Sequence, residues 1–223
     1  MNSQNFLKTF LGISGVYMLL IIIGHEDFAW YLKPFLLPFL FYAVAKSNPF
    51  ETKKWLLAAL LFSWIGDCML LFADKGELYF IFGLISFLIA HILFIVLFVK
   101  QKAEVIHHKQ TQYWFGFSFV LVYLFGMLSL LIPKLGDLKI PVGIYAMTIS
   151  LMLIETIKGS FNWKDKSKYL VLVGAVFFVT SDSVLAINKF YSPVPNDSFW
   201  IMATYLIAQF CIVKGILKMN QKN

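Results

Sequence analysis

Eight stretches of nearly unbroken apolar residues, separated by short polar breaks, organise this chain of 223 residues. They run approximately Phe6–Gly24, Ala29–Ala45, Trp55–Ala73, Leu78–Val99, Tyr113–Ile132, Ile140–Ile157, Tyr169–Asn188 and Phe199–Leu217. Crossing about 30 Å of hydrocarbon takes roughly 20 helical residues, and each stretch falls within the working range. Continuous apolar runs predict helices; a membrane β-barrel would alternate apolar and polar residues with period two. The breaks carry Lys, Asp, Glu, Pro and Asn, which are turn and interface residues. The pattern therefore predicts an all-α, polytopic membrane protein with eight transmembrane helices in a single integral membrane domain, 1–223. The first stretch is read as a span and not as a signal peptide, because His25-Glu26-Asp27 follows it instead of a small-residue cleavage site.

Composition agrees with this reading. Hydrophobic residues make up 60% of the chain and charged ones 14%, against about 45–50% and about 25% in soluble domains. The net charge of +7 comes from lysines in the short breaks, so it describes topology and not nucleic-acid binding. The chain has no arginine. Lys8, Lys46, Lys53, Lys54, Lys100, Lys102, Lys109, Lys158, Lys164, Lys166, Lys168, Lys214, Lys218 and Lys222 fall on one side. Lys33, Lys75, Lys134, Lys139 and Lys189 fall on the other. The excess predicts both termini in the cytoplasm. Cys68 and Cys211 sit inside apolar runs and read as small buried hydrophobes.

An ionisable side chain at mid-bilayer depth costs about 2.5–3.5 kcal/mol on insertion scales, so such residues are functional candidates. Asp67 lies 12 residues into its span and Asp182 lies 13 into its own. Both are about 18–20 Å from the cytoplasmic boundary at 1.5 Å of rise per residue. Each follows a small residue and precedes a leucine by three, four spans apart and on helices of the same direction. That similarity fits a 4+4 parallel repeat and fits coincidence equally well. A buried pair that only fixes helix register is the bland alternative for the two aspartates.

Other polar residues fall at helical spacing: Gly83, Phe87 and His91, with Ser86 and Ala90 beside them; Gly174, Phe178 and Ser181; Tyr205 and Gln209. For His91, Tyr205 and Gln209 taken singly, a hydrogen-bonded structural role is the simpler reading. Glu155 and Lys158 form an expected interfacial pair. Lys33 is placed at the outer end of the second span, where it can reach the headgroups and hold a lipid phosphate. Tyr145, Tyr169, Trp55, Trp114 and Trp200 near span ends read as interface anchors. The four histidines, His25, His91, His107 and His108, form no zinc motif. No nucleophile elbow or P-loop is present, so no metal and no cofactor is expected.

Taken in order, several short boxes resemble the YhhN-type lysoplasmalogenases, a family of small eight-helix membrane proteins. They are Lys33-Pro34, Gly66-Asp67-x-x-Leu70, and Gly83-x-x-x-Phe87-x-x-x-His91. They continue with Pro141-Val142-x-x-Tyr145, then Gly174-Ala175-x-x-Phe178-x-x-Ser181-Asp182-x-x-Leu185, then Tyr205-x-x-Ala208-Gln209. The resemblance covers spans two to eight. It implies hydrolysis of the vinyl-ether bond of an alkenyl lysophospholipid, giving a fatty aldehyde and a glycerophospho-head group. It also implies Asp67 and Asp182 as catalytic residues and a bacterial inner (cell) membrane as the location. Lys33, His91, Tyr145, Ser181, Tyr205 and Gln209 are then candidates for binding the lipid or orienting water. The chemistry suits two carboxyls, because one group must deliver a proton to carbon while another, ionised, handles water. A proton-coupled transporter or lipid-handling protein would use the same residue types and stays open as the alternative, as does a non-catalytic scaffold.

Overall fold

The computed structural model describes residues 2–102 and 110–221; His107, His108, Lys109 and Lys222 lie outside them. Among the described residues every regular element is helical. The chain divides into two compact units, residues 1–97 with 220–223, and residues 98–219. The division falls in the last turn of the fourth span, so each unit carries four spans nearly whole.

In the first unit, α1 (Ser3–Ile22) ends in a Schellman turn. His25 N–H reaches the Leu20 carbonyl at 2.8 Å and Gly24 N–H reaches Ile21 at 3.1 Å. Gly24 takes φ 77°, which a side chain would resist. The second span differs from the sequence reading in two ways. It begins at Glu26, earlier than Ala29, and it is broken into α2 (Glu26–Leu32), a 3-10 turn (Lys33–Phe35) and α3 (Leu36–Ala45). Pro34 and Pro38 explain the break, since neither has an N–H for the carbonyl four residues before it. Lys33 therefore sits inside the span and not at its outer end. α4 (Lys53–Leu70) and α5 (Glu77–Lys100) complete the unit. Buried Leu36, Leu37, Leu40, Ala43 and Val44 make α3 its middle layer, between α1 and α4. Lys53 Nζ donates to the Ala45 and Ser47 carbonyls at 3.0 and 2.7 Å, capping the end of α3.

The second unit is built from α6 (Gln110–Leu131), α7 (Lys139–Asn162), α8 (Lys168–Ala186) and α9 (Asp197–Asn220). α7 packs on both α6 and α8. A π-helical turn, Ile187–Tyr191, extends α8, and its Phe190 joins Ala186 against a cluster of Leu131, Leu135 and Val142. α6 turns Phe115, Phe119, Val122 and Phe125 outward, 66–77% exposed, as a helix bathed in lipid does.

Seven of the spans are helices long and apolar enough to cross a membrane. α4 is the exception, because its 18 residues include Lys53, Lys54 and Asp67. The chain is an integral membrane protein. Tyr169, Trp114 and Trp200 are exposed near helix ends, as expected of interface anchors. Glu155 and Lys158 make the expected pair at 3.5 Å. Cys68 and Cys211 are only half-buried, so the reading of them as core residues does not hold.

Candidate functional site

Helix α8 is the hub of the second unit. A helix turns about 100° per residue, and three consecutive side chains of α8 use that rotation to reach three different neighbours. Ser181 Oγ donates to the Ile201 carbonyl of α9 at 3.0 Å. Asp182 Oδ2 accepts the hydroxyl of Tyr145 from α7 at 2.5 Å. Ser183 Oγ shares a short hydrogen bond with the Tyr123 hydroxyl of α6 and also donates to the Val179 carbonyl. Tyr145 is thus not an interface anchor. Its hydroxyl faces inward because a phenol within a helical bundle needs a partner, and Asp182 provides one.

The α8–α9 seam explains the small residues of the box that contains Asp182. A Cβ on Gly174 would come within 2.8 Å of the Ala208 carbonyl and 2.9 Å of the Ile212 nitrogen. One turn on, Phe178 meets Tyr205 edge to face at 5.6 Å, and Ser181 follows on Ile201. The predicted face of Gly174, Phe178 and Ser181 is real, and its function is close packing. Gln209 lies one turn beyond Tyr205 and is fully buried. Neither Oε1 nor Nε2 of its amide has a hydrogen-bond partner among the described residues.

In the first unit, Asp67 is 4% exposed and lies one turn before the end of α4. Gly66, just before it, sits under the ring of Phe87, where a Cβ would come within 2.7 Å. Reciprocally, a Cβ on Gly83 would come within 2.7 Å of Leu70. Two of the sequence boxes thus interlock as one α4–α5 seam, glycine against large residue in both directions. His91, one turn beyond Phe87, is fully buried. Ser63, one turn before Asp67 on the same face, is also fully buried, and its hydroxyl has no partner among the described residues.

Two indoles join the broken second span to α4. Trp64 Nε1 donates to the Pro34 carbonyl at 2.7 Å, and Trp30 Nε1 donates to the Leu71 carbonyl at 3.1 Å. Cys68 follows Asp67 on α4 and is half-buried, and Tyr17 of α1 is buried.

The candidates therefore fall into two groups. Lys33, Asp67 and His91 belong to the first unit; Tyr145, Ser181, Asp182, Tyr205 and Gln209 belong to the second. The sequence reading missed Tyr17, Tyr123, Trp30 and Trp64, each a polar-tipped aromatic within an apolar run. A buried Tyr or Trp requires a hydrogen-bond partner, and that requirement was the available signal.

Comparison with known proteins adds the family. The YhhN family matches residues 28–216. Human lysoplasmalogenase TMEM86A is 31% identical over 182 residues, covering 78% of this chain and 69% of the relative. The lysoplasmalogenase of Mycobacterium bovis is 30% identical over 180 residues, covering 78% of this chain and 64% of its own length. Human lysoplasmalogenase TMEM86B is 29% identical over 167 residues, covering 73% and 63%. No solved structure matches the chain. A family match over most of the length, together with a relative 31% identical over 182 residues, means that the chain belongs to the YhhN family.

Proposed function

We propose that this chain is an intramembrane hydrolase that cleaves the vinyl-ether bond of an alkenyl lysophospholipid, with Asp67 and Asp182 as its acid and base. It is an enzyme of the lysoplasmalogenase type, as its relatives are named. One observation carries the assignment of the residues: the same local arrangement recurs in both units. The third span of each presents an aspartate directly after a small residue seated on the fourth span, Gly66 against Phe87 and Ser181 against Ile201. Asp67 follows the start of α4 at Lys53, and Asp182 the start of α8 at Lys168, by the same rise of about 21 Å. This supports a 4+4 parallel repeat in which the two carboxyls correspond.

The reaction begins with transfer of a carboxyl proton to the outer vinyl carbon, which leaves an oxocarbenium ion at the carbon bonded to oxygen. Water adds there as the ionised carboxylate takes its proton. The hemiacetal then loses the glycerol oxygen, which leaves with a proton, and a fatty aldehyde remains. Tyr145 holds Asp182 by one oxygen and so orients the carboxylate. The buried amide of Gln209 can take the ether oxygen or the attacking water. In the second unit Ser181 and Tyr205 fix the α8–α9 seam beside Asp182; in the first, His91 lies one helical turn beyond the Phe87 that covers Gly66, and Lys33 holds the head-group phosphate. The lysine distribution supports cytoplasmic termini, and the proposed location is a bacterial inner membrane.

The test is aldehyde release by the purified protein from an alkenyl lysophosphoethanolamine, beside its saturated alkyl-ether twin. The alkenyl lipid alone is expected to react. Folded Asp67→Asn and Asp182→Asn variants are expected to lose about 100-fold or more. Wild-type rates in either variant would overturn its assignment.

A further inference from the structure

The two indole bonds of the first unit set a register. As residue numbers rise from Trp30 to Pro34, their partners fall from Leu71 to Trp64, so the two segments run antiparallel and are tied at both ends of one short interval. Lys33 lies in that interval on one side. Asp67 lies in it on the other, one turn from Trp64 and one turn from Leu71.

The carbonyls that the indoles reach are ones the helices themselves leave unpaired. The residue four beyond Pro34 is Pro38, which has no N–H to offer. Leu71 stands just past the end of α4, where carbonyls lack intrahelical donors. Each tryptophan thus supplies a donor at a point where the backbone is short of one. The broken second span becomes a fixed shelf, with Lys33 on the 3-10 turn.

We propose that Trp64 and Trp30 are positioning residues that hold Lys33 level with Asp67, so that the first unit binds a lysolipid's phosphate while presenting its sn-1 oxygen to Asp67. In such a lipid the phosphorus and the sn-1 oxygen are five bonds apart, a separation that suits a lysine and a carboxyl at the same level. The ligand class is a single-chain glycerolipid with a phosphate. This rests on the reading of Lys33 as the phosphate ligand and extends it to the residues that place Lys33.

The test is binding and not turnover, so that it stands apart from hydrolysis. The probes are a saturated alkyl-ether lysophosphoethanolamine and the same alkyl glycerol without phosphate, titrated into full-length protein in nanodiscs. Lys33→Gln and Trp64→Phe are each expected to weaken the phosphate probe about tenfold and to leave the alkyl glycerol unchanged. The double variant should bind no more weakly than Lys33→Gln alone. Trp30→Phe carries the same expectation and serves where Trp64→Phe does not fold. Equal weakening of both probes makes the tryptophans merely structural, and no weakening removes their role; either overturns the proposal. Unchanged phosphate binding in Lys33→Gln overturns it at its base. If the selective pattern holds and no aldehyde is released, the hydrolase reading fails and this one stands.

Discussion

The hydroxyl of Tyr145 donates to Oδ2 of Asp182 at 2.5 Å, joining α7 to α8 at the carboxyl we assign to catalysis. A side-chain hydrogen bond contributes about 0.5–3 kcal/mol, the most where the acceptor is ionised. Tyr145→Phe should therefore lower kcat by about 10–100-fold while KM moves little, because the ring still fills its place. Steady-state kinetics on the alkenyl lysolipid check this. A rise in KM alone would return Tyr145 to a substrate-binding role.

The seam glycines should differ in tolerance according to what they touch. Gly174 faces backbone atoms of α9, which cannot yield, so Gly174→Ala should cost about 1–3 kcal/mol through overpacking. Gly83 faces the end of the Leu70 side chain, which can turn away, and Gly83→Ala should be milder. Gly12 and Gly143 have open space around the added carbon, and alanine there should be neutral or stabilising. Thermal unfolding in detergent ranks the four.

Tyr123 and Ser183 share one hydrogen bond between α6 and α8. Tyr123→Phe and Ser183→Ala should each lower stability by about 1 kcal/mol, and the double variant should lose little beyond either single one. Full additivity would mean that the two do not interact.

Asp165, in the turn before α8, accepts the Ser167 backbone N–H at 2.6 Å. Bonds from the Ser167 hydroxyl and N–H hold its carboxyl below the usual carboxylate range. A depressed folded value favours the folded turn above the unfolded pKa of about 3.9, and the contribution fades as pH falls through the folded value. Protection from hydrogen exchange at Ser167 to Tyr169, taken relative to the intrinsic amide rate at each pH, should therefore fall on acidification in the native chain and show no such step in Asp165→Asn.

The spans were legible because a helix that meets lipid on much of its surface must be apolar nearly throughout, and that is a local property of the chain. The break at Lys33 was also legible, since Pro34 and Pro38 stand four apart and each removes a donor; reading Lys33 as the start of a span obscured it. The boxes containing Asp67 and Asp182 were found for their aspartates, yet Gly66, Leu70, Gly83 and Phe87 are spent on packing one helix against the next. Spacing alone cannot divide a motif between seam and chemistry. Nor does local sequence name the helix that a residue will face. Tyr123 read as one more aromatic in an apolar run until Ser183 was seen opposite it.

Because Ser181, Asp182 and Ser183 each bond a different helix, α8 is keyed against rotation about its own axis. Turning it by one residue would break all three bonds together and carry the aspartate away from Tyr145. Spacing is consequently less negotiable here than identity. A single substitution removes one tooth of the key, whereas one residue inserted ahead of Ser181 misaligns every tooth. Beyond Ala186 the situation reverses. The π turn at Ile187–Tyr191 is the form a helix takes when it absorbs an extra residue, so length changes in this span can accumulate downstream of the aspartate and not upstream of it.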